Sequence, residues 1–338
     1  MENKSKIINR NASSSAFGWD FQINSAILLM IDNIEDVSYI KVEGKHEDIE
    51  LYLNNGKTIY AQAKSFVNPY DDKNISTKLS KGLETLNDTA SKNKNVEKLI
   101  YITNHSNPFN DARIIQSFYG YTRRSYDDLP DIAKEYIDKI INDKKYTNIN
   151  KSLFYIYVFP FDGSDLKNRY KLIREEVRNF LDGLKVEGIS LNDLLGIWQN
   201  DCFQNSTINN ENIKLKKEDF IWPIIILSLD KYIEIEDLDE GILQEVNDRY
   251  KSLINRFENR FSLITKVLFD FDTFKEGNSH KEKIDLFINK KWNEYSKDVF
   301  TDDIYNHEVK EYVLKSIIKK ILDKRFIIDK IKKGVGIN

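Results

Sequence analysis

The sequence predicts an α/β domain over residues 1–163 followed by a mostly α-helical domain over residues 164–338. Three observations predict it. Five runs of alternating or apolar β-formers fall between Tyr39 and Phe159, helix-period segments precede and interrupt them, and beyond Leu166 helical spacing prevails.

Ser13, Ser14 and Ser15 offer N-caps to a helix over Ala16–Asp32, where Phe17, Phe21, Ile27, Leu28 and Ile31 recur near helical spacing. The period then changes to two, with strands expected over Tyr39–Glu43, Asp48–Leu53 and Thr58–Ser65. A helix over Ile75–Ala90 and a strand over Lys98–Thr103 follow. Polar helical segments are expected within Asp111–Asp143, then an apolar strand over Leu153–Phe159. The domain boundary is placed near Asp162–Asp165. Beyond it, helices are expected over Leu166–Leu181, Ser190–Asn200, Leu238–Phe269, Lys281–Lys297 and His307–Lys333, the last with an apolar stripe and a lysine-rich face. Breaks fall at Asn205–Asn212 and Glu276–Ser279.

Composition narrows the function classes. Lys and Arg number 51 against 54 Asp and Glu, a net charge of -3, so the molecule as a whole has no field that attracts polyanions, and any nucleic-acid contact must be a local patch. The single cysteine, Cys202, excludes a disulfide framework and a multi-cysteine metal site. The four histidines lack zinc-ligand spacing. Met1–Ser15 has no apolar core of a signal peptide, and the most apolar run, Phe220–Leu227, is too short to cross a bilayer. A soluble cytoplasmic protein without membrane contact is expected.

The hairpin at residues 48–64 carries the chemistry. Ile49, Leu51 and Leu53 alternate with Asp48, Glu50 and Tyr52, while Ile59, Ala61 and Ala63 alternate with Tyr60, Gln62 and Lys64. If both strands bury the same face, odd residues must pair with odd ones, so the loop holds an odd number of residues. Asn54-Asn55-Gly56 meets this as a turn closed by a left-handed glycine. Leu53 then pairs with Lys57, Asp48 stands opposite Gln62, and Lys64 is one diagonal step away on the same face. An aspartate and a neighbouring carbonyl oxygen suit Mg²⁺, a hard cation, and a lysine beside it can position water and stabilise developing negative charge. That is the chemistry of phosphodiester hydrolysis. Glutamine in place of a second carboxylate makes the ion site weaker.

The residues Glu43-Gly44, Glu47-Asp48-Ile49-Glu50-Leu51 and Gln62-Ala63-Lys64 resemble the PD-(D/E)xK nuclease superfamily, in its branch with glutamine at the acidic position of the ExK motif. Gly18-Trp19-Asp20-Phe21-Gln22 and Tyr101-Ile102-Thr103-Asn104 agree with it. Together these are similar to the double-stranded-DNA endonuclease effectors of the CBASS and Lamassu anti-phage systems, and the helical second half is nearer the Lamassu nuclease subunit. The resemblance covers roughly the first half of the chain. It implies a restriction-endonuclease-like fold, a mixed central sheet flanked by helices. It also implies Asp48 as the principal metal ligand, Gln62 as the second, Glu43 completing the metal set, Lys64 as the catalytic lysine and Gln22 as support. The cofactor would be Mg²⁺ or Mn²⁺. The partners would be double-stranded DNA, an SMC-like ATPase subunit and a small third subunit, with homo-oligomerisation on activation.

Blander roles stand beside these. The hairpin residues alternatively form the solvated face of a surface hairpin, and Glu43 and Glu47 ordinary surface charges, Glu47 projecting away from Asp48 if the strand reaches it. Gln22 is equally a buried amide with a structural role. Trp19 reads as a packing residue and His46 as incidental. Arg123 and Arg124, beside Tyr121 and Tyr126, are candidates for a phosphate-backbone contact, though such pairs usually sit on solvated surfaces. A non-catalytic adaptor that binds DNA or a partner, and an RNA-directed nuclease, remain alternatives to the DNA nuclease.

Overall fold

The structure, a computed structural model, describes residues 13–207, 214–228, 241–246, 248, 260–300 and 306–337. In chain order the first elements are α1 (Ser13–Asp32), β1 (Val37–Val42), β2 (Ile49–Leu53), β3 (Thr58–Lys64), α2 (Ile75–Lys92), β4 (Val96–Thr103), β5 (Thr122–Ser125), α3 (Asp131–Lys144) and β6 (Phe154–Val158). There follow α4 (Leu166–Arg169), α5 (Lys171–Gly183), α6 (Leu191–Thr207), β7 (Leu215–Lys216) and α7 (Lys217–Ser228). The later helices are α8 (Arg260–Thr273), α9 (His280–Lys291), α10 (His307–Asp323) and α11 (Arg325–Gly334).

The strands form one mixed seven-stranded sheet in the order β5-β6-β4-β3-β2-β1-β7. β3 and β6 both run parallel to β4, and the remaining neighbours are antiparallel. Parallel pairs need crossovers, which explains why a helix separates β3 from β4 and a longer segment with α3 separates β4 from β6. α1 packs on β1, β2 and β3 with Phe21, Ile27, Leu28 and Met30 fully buried. α2 sets Leu79, Leu83 and Leu86 into the core formed with Tyr60, Leu99 and Tyr101. Gly82 is required there, since a Cβ would stand 2.5 Å from the Tyr101 ring. The hairpin strands are thus covered by helices on both faces.

The chain divides into two compact units. The first holds Met1–Phe180 and Leu195–Lys217, the second Leu181–Leu194 and Glu218–Asn338. The break expected at Asp162–Asp165 falls inside the first unit, because the chain returns to the sheet: β7 pairs with β1, and the Asn205 side chain accepts from the Val42 N–H at 2.9 Å. The described part of the second unit is helical.

Two expectations of secondary structure are corrected. Within Asp111–Asp143, expected as helical, lie a 3-10 turn at Ile115–Phe118 and the strand β5 before α3 begins. Thr122–Ser125 pairs along β6 and satisfies the polar edge that strand would otherwise leave open, a gain invisible to local periodicity. The lysine-rich last helix is two helices, broken at Lys324 where φ is -101° and ψ is 8°. α7, with Phe220, Ile221, Ile224 and Ile225 buried, passes through Pro223. Of the helix expected over Leu238–Phe269, much lies outside the described residues.

Candidate active site

β2 and β3 pair in the register that the parity of the sequence predicts. The Leu53 N–H donates to the Lys57 carbonyl at 2.9 Å and the Gly56 N–H to the Leu53 carbonyl at 3.1 Å, with Gly56 at φ 79°. Tyr52 pairs with Thr58, Leu51 with Ile59, Glu50 with Tyr60 and Ile49 with Ala61. One step further, the Gln62 amide nitrogen donates to Asp48 Oδ2, and the Ala63 N–H donates to the same oxygen at 2.9 Å. Lys64 Nζ lies 4.0 Å from it. Asp48 Oδ1 is left for another ligand.

This face is not a solvated one. α2 covers Gln62, 3% exposed, and the 44–47 connection closes over Glu50, 0% exposed, so polar groups here must be paired or carry a cost, while Asp48 and Lys64 stay 26% and 27% exposed. Desolvation pushes the Asp48 carboxyl above the ordinary carboxylate range, opposed by Lys64 and the Ala63 N–H and assisted by Glu43. Glu43 itself is exposed and adopts a left-handed backbone, φ 52°, unusual for a side chain of its size. Its N–H donates to the Asp48 carbonyl at 2.8 Å, which folds the 43–48 connection back on itself. Gln22 joins the pieces. Its amide donates to Glu43 Oε1 at 2.8 Å and to the Asp48 carbonyl at 3.0 Å, linking α1 to both acidic residues. Asp48, Gln62, Lys64, Glu43 and Gln22 are therefore brought together.

Residues that the sequence does not single out complete the site. The Thr85 hydroxyl on α2 donates to Gln62 Oε1 at 2.5 Å, so the amide presents its nitrogen to Asp48. The same hydroxyl lies 3.0 Å from the Gly82 carbonyl. Having one proton, it can donate to Gly82 instead and accept from an inverted Gln62 amide. The Thr85 and Gly82 hydrogen bonds would survive, and the Gln62 oxygen would then face Asp48 Oδ2, two acceptors that a bound cation would have to bridge.

Glu50 accepts from the His46 N–H at 2.6 Å, the Glu47 N–H at 3.2 Å and the Tyr52 hydroxyl at 2.5 Å, which holds the connection in place. Gly44 is obligatory beside it, since a Cβ would lie 2.3 Å from the Glu50 carboxyl carbon. His46, which reads as incidental, serves through its backbone. Glu47 is buried and turns toward α2, where Thr89 donates to Oε1 at 2.8 Å. β2 starts only at Ile49, so strand alternation does not reach Glu47, and the condition under which it would face away from Asp48 is not met. Burial pushes its carboxyl up to about 8, and its Oε2 has no hydrogen-bond partner among the described residues.

The backbone beyond Lys64 is clamped. Thr103 Oγ1 donates to the Lys64 carbonyl at 2.7 Å, and Asn104 accepts from the Phe66 N–H and donates to the Phe66 carbonyl, both at 2.7 Å. A threonine and an asparagine at the end of β4 thereby fix where Lys64 emerges. Trp19 is 38% exposed, which departs from its reading as a packing residue. Arg123 and Arg124 do not join the site. Arg123 pairs with Asp32 at 2.8 Å and Glu176 at 3.2 Å, and Arg124 donates to the Ser117 carbonyl at 2.7 Å. Their guanidinium groups tie β5 to its surroundings, and the Arg123 side chain stays 40% exposed.

Among the described residues no three Asp, Glu, His or Cys side chains form a cation cage. The donors available are the Asp48 and Glu43 carboxylates and the Gln62 amide oxygen. All are hard oxygen ligands of the kind Mg²⁺ and Mn²⁺ accept, in a site that leaves further coordination to water or phosphate. The residues fit such an ion provided the Gln62 amide inverts, which the Thr85 hydroxyl permits. No helix among the described residues is long and apolar enough to cross a membrane. No protein-family model, no curated protein and no solved structure matches this chain.

Proposed function

We propose that this chain is a metal-dependent DNA endonuclease of the PD-(D/E)xK type, with a restriction-endonuclease-like first domain. It would serve as the cytoplasmic effector of a bacterial anti-phage complex of the Lamassu kind. The observation that carries the reading is the convergence of Asp48, Gln62 and Lys64 on one covered face of a hairpin, with Glu43 tied to Asp48 through Gln22. A half-buried carboxyl, desolvated yet held against a lysine that is 27% exposed, is the kind of perturbed pair that clusters where chemistry is done. Partnership with an SMC-like ATPase and a small third subunit, and homo-oligomerisation on activation, belong to the same proposal through the family resemblance.

Asp48, Glu43 and the Gln62 oxygen would hold Mg²⁺ or Mn²⁺, which when bound supplies Lewis-acid stabilisation of charge on the phosphoryl oxygens. Lys64, clamped through its carbonyl by Thr103, orients the attacking water and stabilises the departing oxygen. α2 excludes solvent from the inner side of the pair, which strengthens these electrostatic terms.

A second reading, a DNA- or partner-binding adaptor that does not cut, draws on the orientation of Gln62, whose oxygen is turned to Thr85. The test is incubation of supercoiled plasmid and of a structured RNA with purified full-length protein and Mg²⁺ or Mn²⁺, alone and with its genomic neighbours. Plasmid cleavage abolished by Asp48→Ala and by Lys64→Ala establishes the proposal. Cleavage of RNA alone replaces the substrate. Binding without cleavage of either, under every activating condition, establishes the adaptor.

A further inference from the structure

A second lysine stands beside the first. Lys78, on the first turn of α2, donates from Nζ to the Ser65 carbonyl, the residue next to Lys64. Its ammonium also lies 3.8 Å from the centroid of the Phe66 ring. Phe66 is held by Asn104 through both its N–H and its carbonyl and packs edge-on against His105, 4.7 Å between centroids. The ammonium is therefore fixed by a rigid support and is not a wandering surface charge. An ammonium has three donors and the Ser65 carbonyl accepts one. Lys64 lies close enough to depress the proton affinity of Lys78, after the larger effect of burial, with Asp71 opposing. Asp48 stands 4.0 Å from Lys64 and Asp71 acts on Lys78, so each ammonium already feels a carboxylate, and Lys78 keeps donors beyond the one taken by the Ser65 carbonyl.

We propose that Lys78 is the second cation of the active site and, with Lys64, receives one backbone phosphate of the nucleic-acid substrate. This rests on the nuclease reading and deepens it. It assigns to α2 a direct substrate contact besides its part in covering the hairpin. Lys78 sets where the phosphodiester backbone lies relative to Asp48, so its loss weakens substrate binding more than turnover.

The test uses the full-length protein carrying Asp48→Asn, so that a fluorescein-labelled DNA duplex is bound and not cut, with anisotropy measured from 0.1 to 1 M KCl. One lost phosphate contact lowers the slope of log affinity against log salt by about 0.9, or roughly eightfold in affinity over that decade. Lys78→Met is expected to show this loss equally on unrelated sequences, Lys78→Arg to retain the parent slope, and Phe66→Leu, which removes the support but not the charge, to retain it as well. In the cleaving background Lys78→Met should raise KM with little change in kcat. A parent that binds duplex while Lys78→Met leaves slope and affinity unchanged overturns this inference alone. An equal loss of slope in Phe66→Leu also overturns it, since the role is then structural. A parent that binds no duplex overturns both the inference and the DNA reading.

Discussion

The two compact units bury different kinds of side chain. In the first, the described interior contains Gln22, Glu47, Glu50, Gln62, Asn104 and His105 among other polar groups, whereas every buried side chain described in the second is apolar or aromatic, as along α10 with Val313, Leu314 and Ile318. A buried polar group costs roughly 1–3 kcal/mol when left unpaired, and a packed apolar side chain costs nothing of the kind. The sheet unit keeps polar and charged groups inside by pairing them, several of them around the 48–64 hairpin.

Substitutions can break this contrast, and the largest effect is expected on catalysis. Asp48→Asn and Lys64→Ala should each reduce metal-dependent cleavage at least a hundredfold, as loss of an electrostatic group in such sites does (roughly 10²–10³). Asp48→Asn should leave the melting temperature unchanged or higher, because it removes a desolvated carboxyl. Retained activity in either variant would remove the hairpin from consideration as the active site.

In the helical unit the corresponding effect falls on stability. Leu314→Ala should cost about 2–5 kcal/mol in denaturant unfolding, and Leu314→Met less than about 1.5 kcal/mol. Equal tolerance of both would mean that Leu314 is not packed as described. In the sheet unit Glu50→Ala should cost about 3 kcal/mol, since it strands the His46 and Glu47 N–H groups and the Tyr52 hydroxyl. A neutral outcome would show that these donors find other partners.

The most discriminating effect is the pH dependence of Glu47. In the fold it keeps its proton up to about 8, against 4.5 for the ordinary side chain. The folded state then binds more protons than the unfolded chain between those values, so stability falls as pH rises through that window. Glu47→Gln should flatten the slope and leave the variant the more stable protein above pH 8. A slope unchanged by this substitution, measured by thermal unfolding across pH 5–9, would place the titration elsewhere.

The hairpin register was legible in the sequence down to single residues. Side chains alternate with a period of two and a three-residue loop admits only one parity, so Asp48 had to face Gln62 with Lys64 on the same side. The same locality explains α1, α2 and most strands. It also explains the failures: β5 and β7 exist because β6 and β1 offered edges to pair with, which no short window of sequence contains.

The sequence by itself determined which three polar groups share a face, because turn length and strand period act over a few residues. Only the tertiary structure decided that Gln62 is covered, that Gln22 ties Glu43 to Asp48, that Thr85 reaches Gln62 from α2 and that Lys78 reaches the Ser65 carbonyl from the same helix. It likewise turned Arg123 inward to Asp32. Those contacts join elements tens of residues apart, and their partners are chosen by packing of helices on the sheet, where burial raises the cost of every unpaired group and so selects its neighbour.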